Sequence, residues 1–147
     1  MPLTIRTNRR FLPLGYCSGV WSLMTLLLLG VGPVYAEWVL FSGNDQTDLT
    51  AYMDQDTIRH EGDRVKMWEL YDFKTTEIAG GKPIRSFKNQ TEYDCTENRS
   101  RSLGATAFSG NMGSGEVVYT TSNEDEWIPV APGSVNQAAW TFVCGKQ

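Results

Sequence analysis

The chain has 147 residues, with 13 Lys and Arg against 17 Asp and Glu, one His and a formal charge of −4 at neutral pH. That length suggests one domain. The acidic balance argues against a nucleic-acid partner, because phosphate binding needs local positive charge. Three cysteines and one histidine are too few to suggest a metal centre, and no cofactor is expected.

Residues 1–36 read as a signal peptide. Arg6, Arg9 and Arg10 form a basic leader, an apolar run follows over 20–31, Gly32-Pro33 breaks it, and Val34-Tyr35-Ala36 supplies small residues at a cleavage site. The apolar core is shorter than the roughly 20 residues of a membrane span, and no stop-transfer charges follow it. Cleavage after Ala36 leaves residues 37–147 as the domain. It keeps all 17 acidic residues and ten of the 13 basic ones, a formal charge of −7. Leu14-Gly15-Tyr16-Cys17 is not a convincing lipobox: Tyr16 is bulky beside the cysteine, and the apolar core comes after Cys17. The chain is therefore expected to be exported. Cys95 and Cys144 remain as an even pair in an exported chain, which predicts a disulfide. Closing a loop of about 50 residues contributes roughly 4 kcal/mol in the chain-entropy description.

In chain order, 38–41 is a short apolar strand, 49–53 a second and 57–60 a third. Glu61-Gly62-Asp63 is a hairpin turn. Residues 64–73 form the clearest strand. Val65, Met67, Tyr71 and Phe73 alternate there with Lys66, Trp68, Leu70 and Asp72. Aromatic residues on both faces place that strand centrally. Residues 78–83 are a loop broken by Gly80, Gly81 and Pro83. Strands follow at 86–95 and 99–108, then a Gly-rich turn at 109–115, a strand at 116–121 and an acidic loop at 123–126. After Pro132-Gly133, Ser134 and Gln137 make a capping box. Val135, Ala138, Ala139, Phe142 and Val143 then recur at helical spacing on one face. A helix of about 10 residues is marginal alone in water and must dock on the sheet. The fold class is α+β: one antiparallel sheet with a C-terminal helix, which a Cys95–Cys144 bond would pin down.

These residues resemble the surface-adhesin protein E family of Gram-negative bacteria. The likeness runs through Trp38-Val39, Tyr52-Met53-Asp54, Val65 with Trp68, Tyr93-Asp94-Cys95, Arg99-Ser100-Arg101, Met112-Gly113-Ser114-Gly115, the stretch 127–134 and Val143-Cys144. It implies a sheet of about six strands with the helix tied to it by the disulfide. It also implies a non-enzymatic adhesin that dimerises and binds host proteins such as vitronectin, laminin and plasminogen. With the signal peptide, it implies a location in the periplasm or on the outer surface of a Gram-negative cell; the alternative function is a soluble periplasmic protein that binds an envelope partner.

Lys82, Arg85 and Lys88 form the main basic cluster in sequence. They are candidate contacts for acidic protein segments or glycans, set against an ordinary solvated loop. Trp140 lies off the apolar stripe of the helix, so it is the candidate exposed or partner-facing aromatic. Trp38, Trp68 and Trp127 read as core. Asp48, Asp54 and Asp56 invite calcium, but no EF-hand spacing accompanies them, and an exposed edge or turn is the plainer reading. Asp94 with Arg99 or Arg101 reads as a structural ion pair across a turn. His60 has no nucleophile signature near it, and no Gly-x-Ser-x-Gly elbow occurs.

Overall fold

The structure, a computed structural model, describes residues 37–44 and 46–145. The expected signal peptide lies outside the described residues. Within them the chain forms strands β1 (Trp38–Ser42), β2 (Leu49–Glu61), β3 (Arg64–Ala79), β4 (Lys82–Asp94), β5 (Arg99–Phe108), β6 (Val117–Thr121) and β7 (Ile128–Pro129), followed by helix α1 (Val135–Cys144). The first six strands pair in chain order as an antiparallel meander. The short β7 joins the free edge of β5, where Ser100 faces Ile128 and Arg99 faces Pro129. The expected sheet with one C-terminal helix is what the chain builds.

Two expected boundaries move. The strands read at 49–53 and 57–60 are one strand, β2, carrying a bulge between Asp54 and Arg59. Thr57 bridges that bulge with its side chain. Its hydroxyl donates to the Asp54 carbonyl at 2.7 Å and accepts from the Trp68 amide at 3.0 Å, standing in for the interrupted ladder. The loop expected at 78–83 shrinks to Gly80-Gly81, because both glycines take positive φ (59° and 77°) and close a two-residue hairpin.

Alternation along β3 and β4 gives the sheet two differently covered faces. On one face α1 packs over Met53, Val65, Met67 and Tyr93, burying Ala139 and Val143, with Val39, Phe41 and Ile58 around them. The helix starts as expected. Ser134 Oγ accepts from the Gln137 amide at 3.1 Å, and Gln137 Oε1 accepts from the Gly133 amide. Cys95, just past β4, is bonded to Cys144 in the last turn, with their Cα atoms 5.4 Å apart.

On the opposite face, the loop at 109–116 folds back over the buried Leu70 and Ser86. Asn111 donates to Asp72 and to the Phe73 carbonyl, the Met112 amide donates to Asp72 at 2.6 Å, and the Gly113 amide donates to Ser86 Oγ at 2.9 Å. The other end of this face carries two rows of charge. Lys66, Glu92 and Arg101 line up across β3, β4 and β5, as do Arg64, Asp94 and Arg99.

Candidate binding face

Helix α1 is too short to cover its whole side of the sheet. Tyr71, Phe73 and Phe87 lie beyond it on the same face. Tyr71 stacks on Phe87 with ring centres 4.6 Å apart, and Phe73 tilts against Phe87 at 5.8 Å. Ala105, Ala107 and Tyr119 continue the surface across β5 and β6, and Ile78 rises beside it from the β3–β4 hairpin. Ile78 is 69% exposed and Tyr119 52%. Together they make an open apolar surface on the half of this face that the helix leaves uncovered.

Between that surface and the helix lies an open groove of about 470 Å³. Tyr71, Asn89, Thr91, Ser100 and Ser102 form its floor, Asn136 of α1 closes one side, and Asp125, Glu126 and Ile128 form its rim. Beneath the floor Glu69 is fully buried. Its carboxyl accepts from Tyr71 at 3.0 Å and Thr91 at 2.7 Å, and from the Tyr93 hydroxyl. Burial pushes the Glu69 carboxyl up from the usual carboxylate range, against the opposing pull of those three hydroxyls. Burial and the neighbouring carboxylate raise Tyr71 and Tyr93, which stay protonated donors.

The rim is held in place from behind. The Asp125 amide donates to the Ser102 carbonyl at 2.9 Å. Two residues on, the Trp127 ring sits against three guanidinium groups, those of Arg64, Arg99 and Arg101, at 5.2, 4.9 and 4.7 Å. Arg101 also binds Glu92 and Glu124, at 2.6 and 2.7 Å, and Arg99 binds Asp94 at 3.0 Å. The expected ion pair across the turn is thus Asp94 with Arg99. Hydrogen bonds from the Glu97 amide, then from Arg99, hold the Asp94 carboxyl below its usual range against the effect of burial. Trp127 is an arginine-stacked strut where the sequence suggested core.

The sequence-derived basic cluster is not one cluster in space. Lys82 is exposed at the start of β4. Arg85 and Lys88 are three residues apart on a strand and so point to opposite faces. Arg85 shares the side of Phe87 and donates to the Lys74 carbonyl at 3.0 Å. Lys88 lies half-buried between the Trp38 and Phe108 rings, 5.5 and 5.4 Å from their centres, with Gly113 packed against its stem. Trp140 is half-buried against the core where the sequence suggested exposure, and its indole donates to the Asp94 carbonyl at 3.3 Å. Asp54 is buried, not exposed, because its side chain turns into the β2 bulge to accept from the Asp56 amide. Among the described residues no group of three or more His, Cys, Asp or Glu is placed to hold a metal ion.

Glu69 was invisible to the pattern. It occupies an inward position between Met67 and Tyr71, where an apolar residue is expected, and two of its three partners come from 22 and 24 residues away. The signal available was a lone carboxylate on the buried side of an otherwise apolar strand.

A search of curated proteins finds no match. Among solved structures the chain is similar to protein E of Haemophilus influenzae. One crystal form aligns with a TM-score of 0.59 at 12% identity, over 76% of this chain and 90% of that one. A second structure aligns at 0.56 and 13% identity, over 76% and 86%. Protein E from a non-typeable strain aligns at 0.55 and 12%, over 76% and 78%. At that identity the likeness speaks for the fold. The family match is independent of it and covers residues 38–145, from the first residue of β1 to the residue after α1: the chain belongs to the surface-adhesin protein E family.

Proposed function

We propose that the chain is exported, with residues 1–36 removed after Ala36, and acts as a non-enzymatic, adhesin-type binding module for proteins. The partners that the family resemblance suggests are host matrix or serum proteins such as vitronectin and laminin. The observation that carries this reading is the uncovered aromatic half of the sheet face. Tyr71, Phe73 and Phe87 form a stacked platform, and exposed Ile78 and Tyr119 flank it. A contiguous apolar surface on an acidic, water-soluble domain is a place for another protein to sit. Lys82 and Arg85 stand at the hairpin beside it as flanking contacts. Lys88 and Trp140 contribute by bracing the faces in which they are embedded. The same platform is where a second copy would pack if the chain dimerises.

Protease shaving of intact cells expressing the full chain tests this reading, probed with an antibody to residues 37–147 beside an osmotic-shock fraction. Loss of signal from intact cells supports surface display. The poor lipobox context at Cys17 favours a second reading, a soluble periplasmic protein that binds an envelope partner. Protection in intact cells with full release on shock supports that reading and removes adhesion.

A further inference from the structure

The sheet face away from α1 holds a cation without an acid, a feature the protein-binding reading does not use. Lys88 stands beside the buried Leu70 in register and is itself partly buried. Its nitrogen lies 5.5 Å from the centre of the Trp38 ring and 5.4 Å from that of Phe108. A β-carbon at position 113 would come 2.5 Å from Lys88 Cε and 3.1 Å from Nζ, so Gly113 leaves just enough room for the end of the side chain and fixes it. Lys66, Arg99 and Arg101, the other partly buried cations of that face, each hold a carboxylate. Lys88 makes no ion pair or hydrogen bond among the described residues. The acids sharing its face are engaged elsewhere: Asp54 with the Asp56 amide, Asp72 with Asn111 and the Met112 amide, Glu92 with Arg101. Among the described residues Arg85 Nε is the one side-chain nitrogen or oxygen both sealed from solvent and unpartnered, so the unpartnered Lys88 ammonium is open to solvent.

An ammonium group has three N–H donors and no acceptor. The two rings answer its charge but leave it free to take a stronger acceptor, and a carboxylate makes the charge-assisted bond. The surroundings say what should carry that carboxylate. Trp38 and Phe108 are both partly open. Leu40, two residues from Trp38 on β1 and so on the same side, is 51% exposed, and Met112, beside Gly113, is 42% exposed. A fixed cation framed by aromatic and apolar side chains suits an anion borne on a body with an apolar face. A pyranose ring has such a face in its axial C–H groups. An Asp or Glu side chain brings its carboxylate on a thin stem and leaves both rings bare. We infer that this site binds an acidic sugar, a uronic-acid residue of a glycan, with its carboxylate on the Lys88 ammonium and its ring against Trp38.

The test uses ¹⁵N-labelled protein from the exported fraction of cells expressing the full chain. It is titrated with methyl β-glucuronide, with methyl β-glucoside, which has the ring but no carboxylate, and with Nα-acetyl-glutamate methylamide, which has the carboxylate but no ring. The Trp38 indole N–H and the backbone amides of Lys88 and Gly113 report the site. Saturable shifts there with the glucuronide are expected, at about millimolar affinity. The glucoside and the glutamate compound should each bind at least about fivefold more weakly. Lys88→Met, which keeps the apolar stem between the rings, should lower glucuronide affinity by at least about fivefold. The comparison of the three compounds on wild type reads the site without any variant. No shifts with the glucuronide, equal binding of the glucoside, or undiminished binding by a folded Lys88→Met would each overturn the inference. Glutamate compound bound as tightly as the glucuronide would overturn it too, by assigning the site to an acidic side chain.

Discussion

Glu69 and Tyr93 lie on neighbouring strands, both fully buried, and the Tyr93 phenol donates to the Glu69 carboxyl. Removing the donor leaves a buried acceptor short of one bond. Tyr93→Phe should therefore destabilise the domain by about 1–3 kcal/mol in urea unfolding. An unchanged midpoint would mean that the pair adds nothing to the core.

Titration of Glu69 should be visible in stability. Its folded value is raised above the ordinary 4.5, so the folded chain keeps a proton that the unfolded chain releases. The stability this proton contributes is full below the unfolded value and is lost as pH rises through the folded one. Wild type should lose stability relative to Glu69→Gln as pH rises above about 4.5. A flat difference, or one of the opposite slope, contradicts the assignment.

Asp94 carries the opposite sign. Its folded value lies below the ordinary 3.8, so its contribution is present above that value and is lost as pH falls through the folded one. Against Asp94→Asn, wild type should hold its advantage near neutrality and surrender it in acid. A difference that persists at the lowest pH would point to packing instead of charge.

The disulfide joins residues 49 apart and fastens a ten-residue helix that is marginal alone. Replacing both Cys95 and Cys144 with Ala should cost about 2–5 kcal/mol and lower helical content on mild heating before the sheet melts. Far-UV circular dichroism reads both signals.

Gly113 has φ of 70°, and a β-carbon there would come 2.5 Å from Lys88 Cε. Gly113→Ala should destabilise by about 1–2 kcal/mol from backbone strain alone. The cost should shrink in a Lys88→Ala background, since part of it is the contact with the caged lysine. A double-mutant cycle with no coupling would contradict that packing.

What the sequence made legible follows from local chemistry. Alternation marked β3 as a central strand, the Ser134–Gln137 box and the Val135 to Val143 stripe marked α1, and the two exported cysteines marked their bond. What escaped depends on residues meeting from afar. Thr57 repairs a bulge with a side chain, so one strand read as two. Glu69 is a charged residue at a buried position whose donors come from β3 itself and from β4. Trp127 is fixed by arginines at positions 64, 99 and 101, which no spacing rule links. Lys82, Arg85 and Lys88 failed as a cluster for the converse reason, that closeness in sequence on a strand puts Arg85 and Lys88 on different faces.

The most direct measurement is binding of the exported protein to immobilised vitronectin and laminin, beside a double variant, Ile78→Ser with Tyr119→Ser, altered only at exposed positions of the apolar face. Wild type should bind at least one of them at about micromolar concentration. The double variant should bind about tenfold more weakly. No binding of wild type to either protein would contradict the account of this chain as an adhesin-type module.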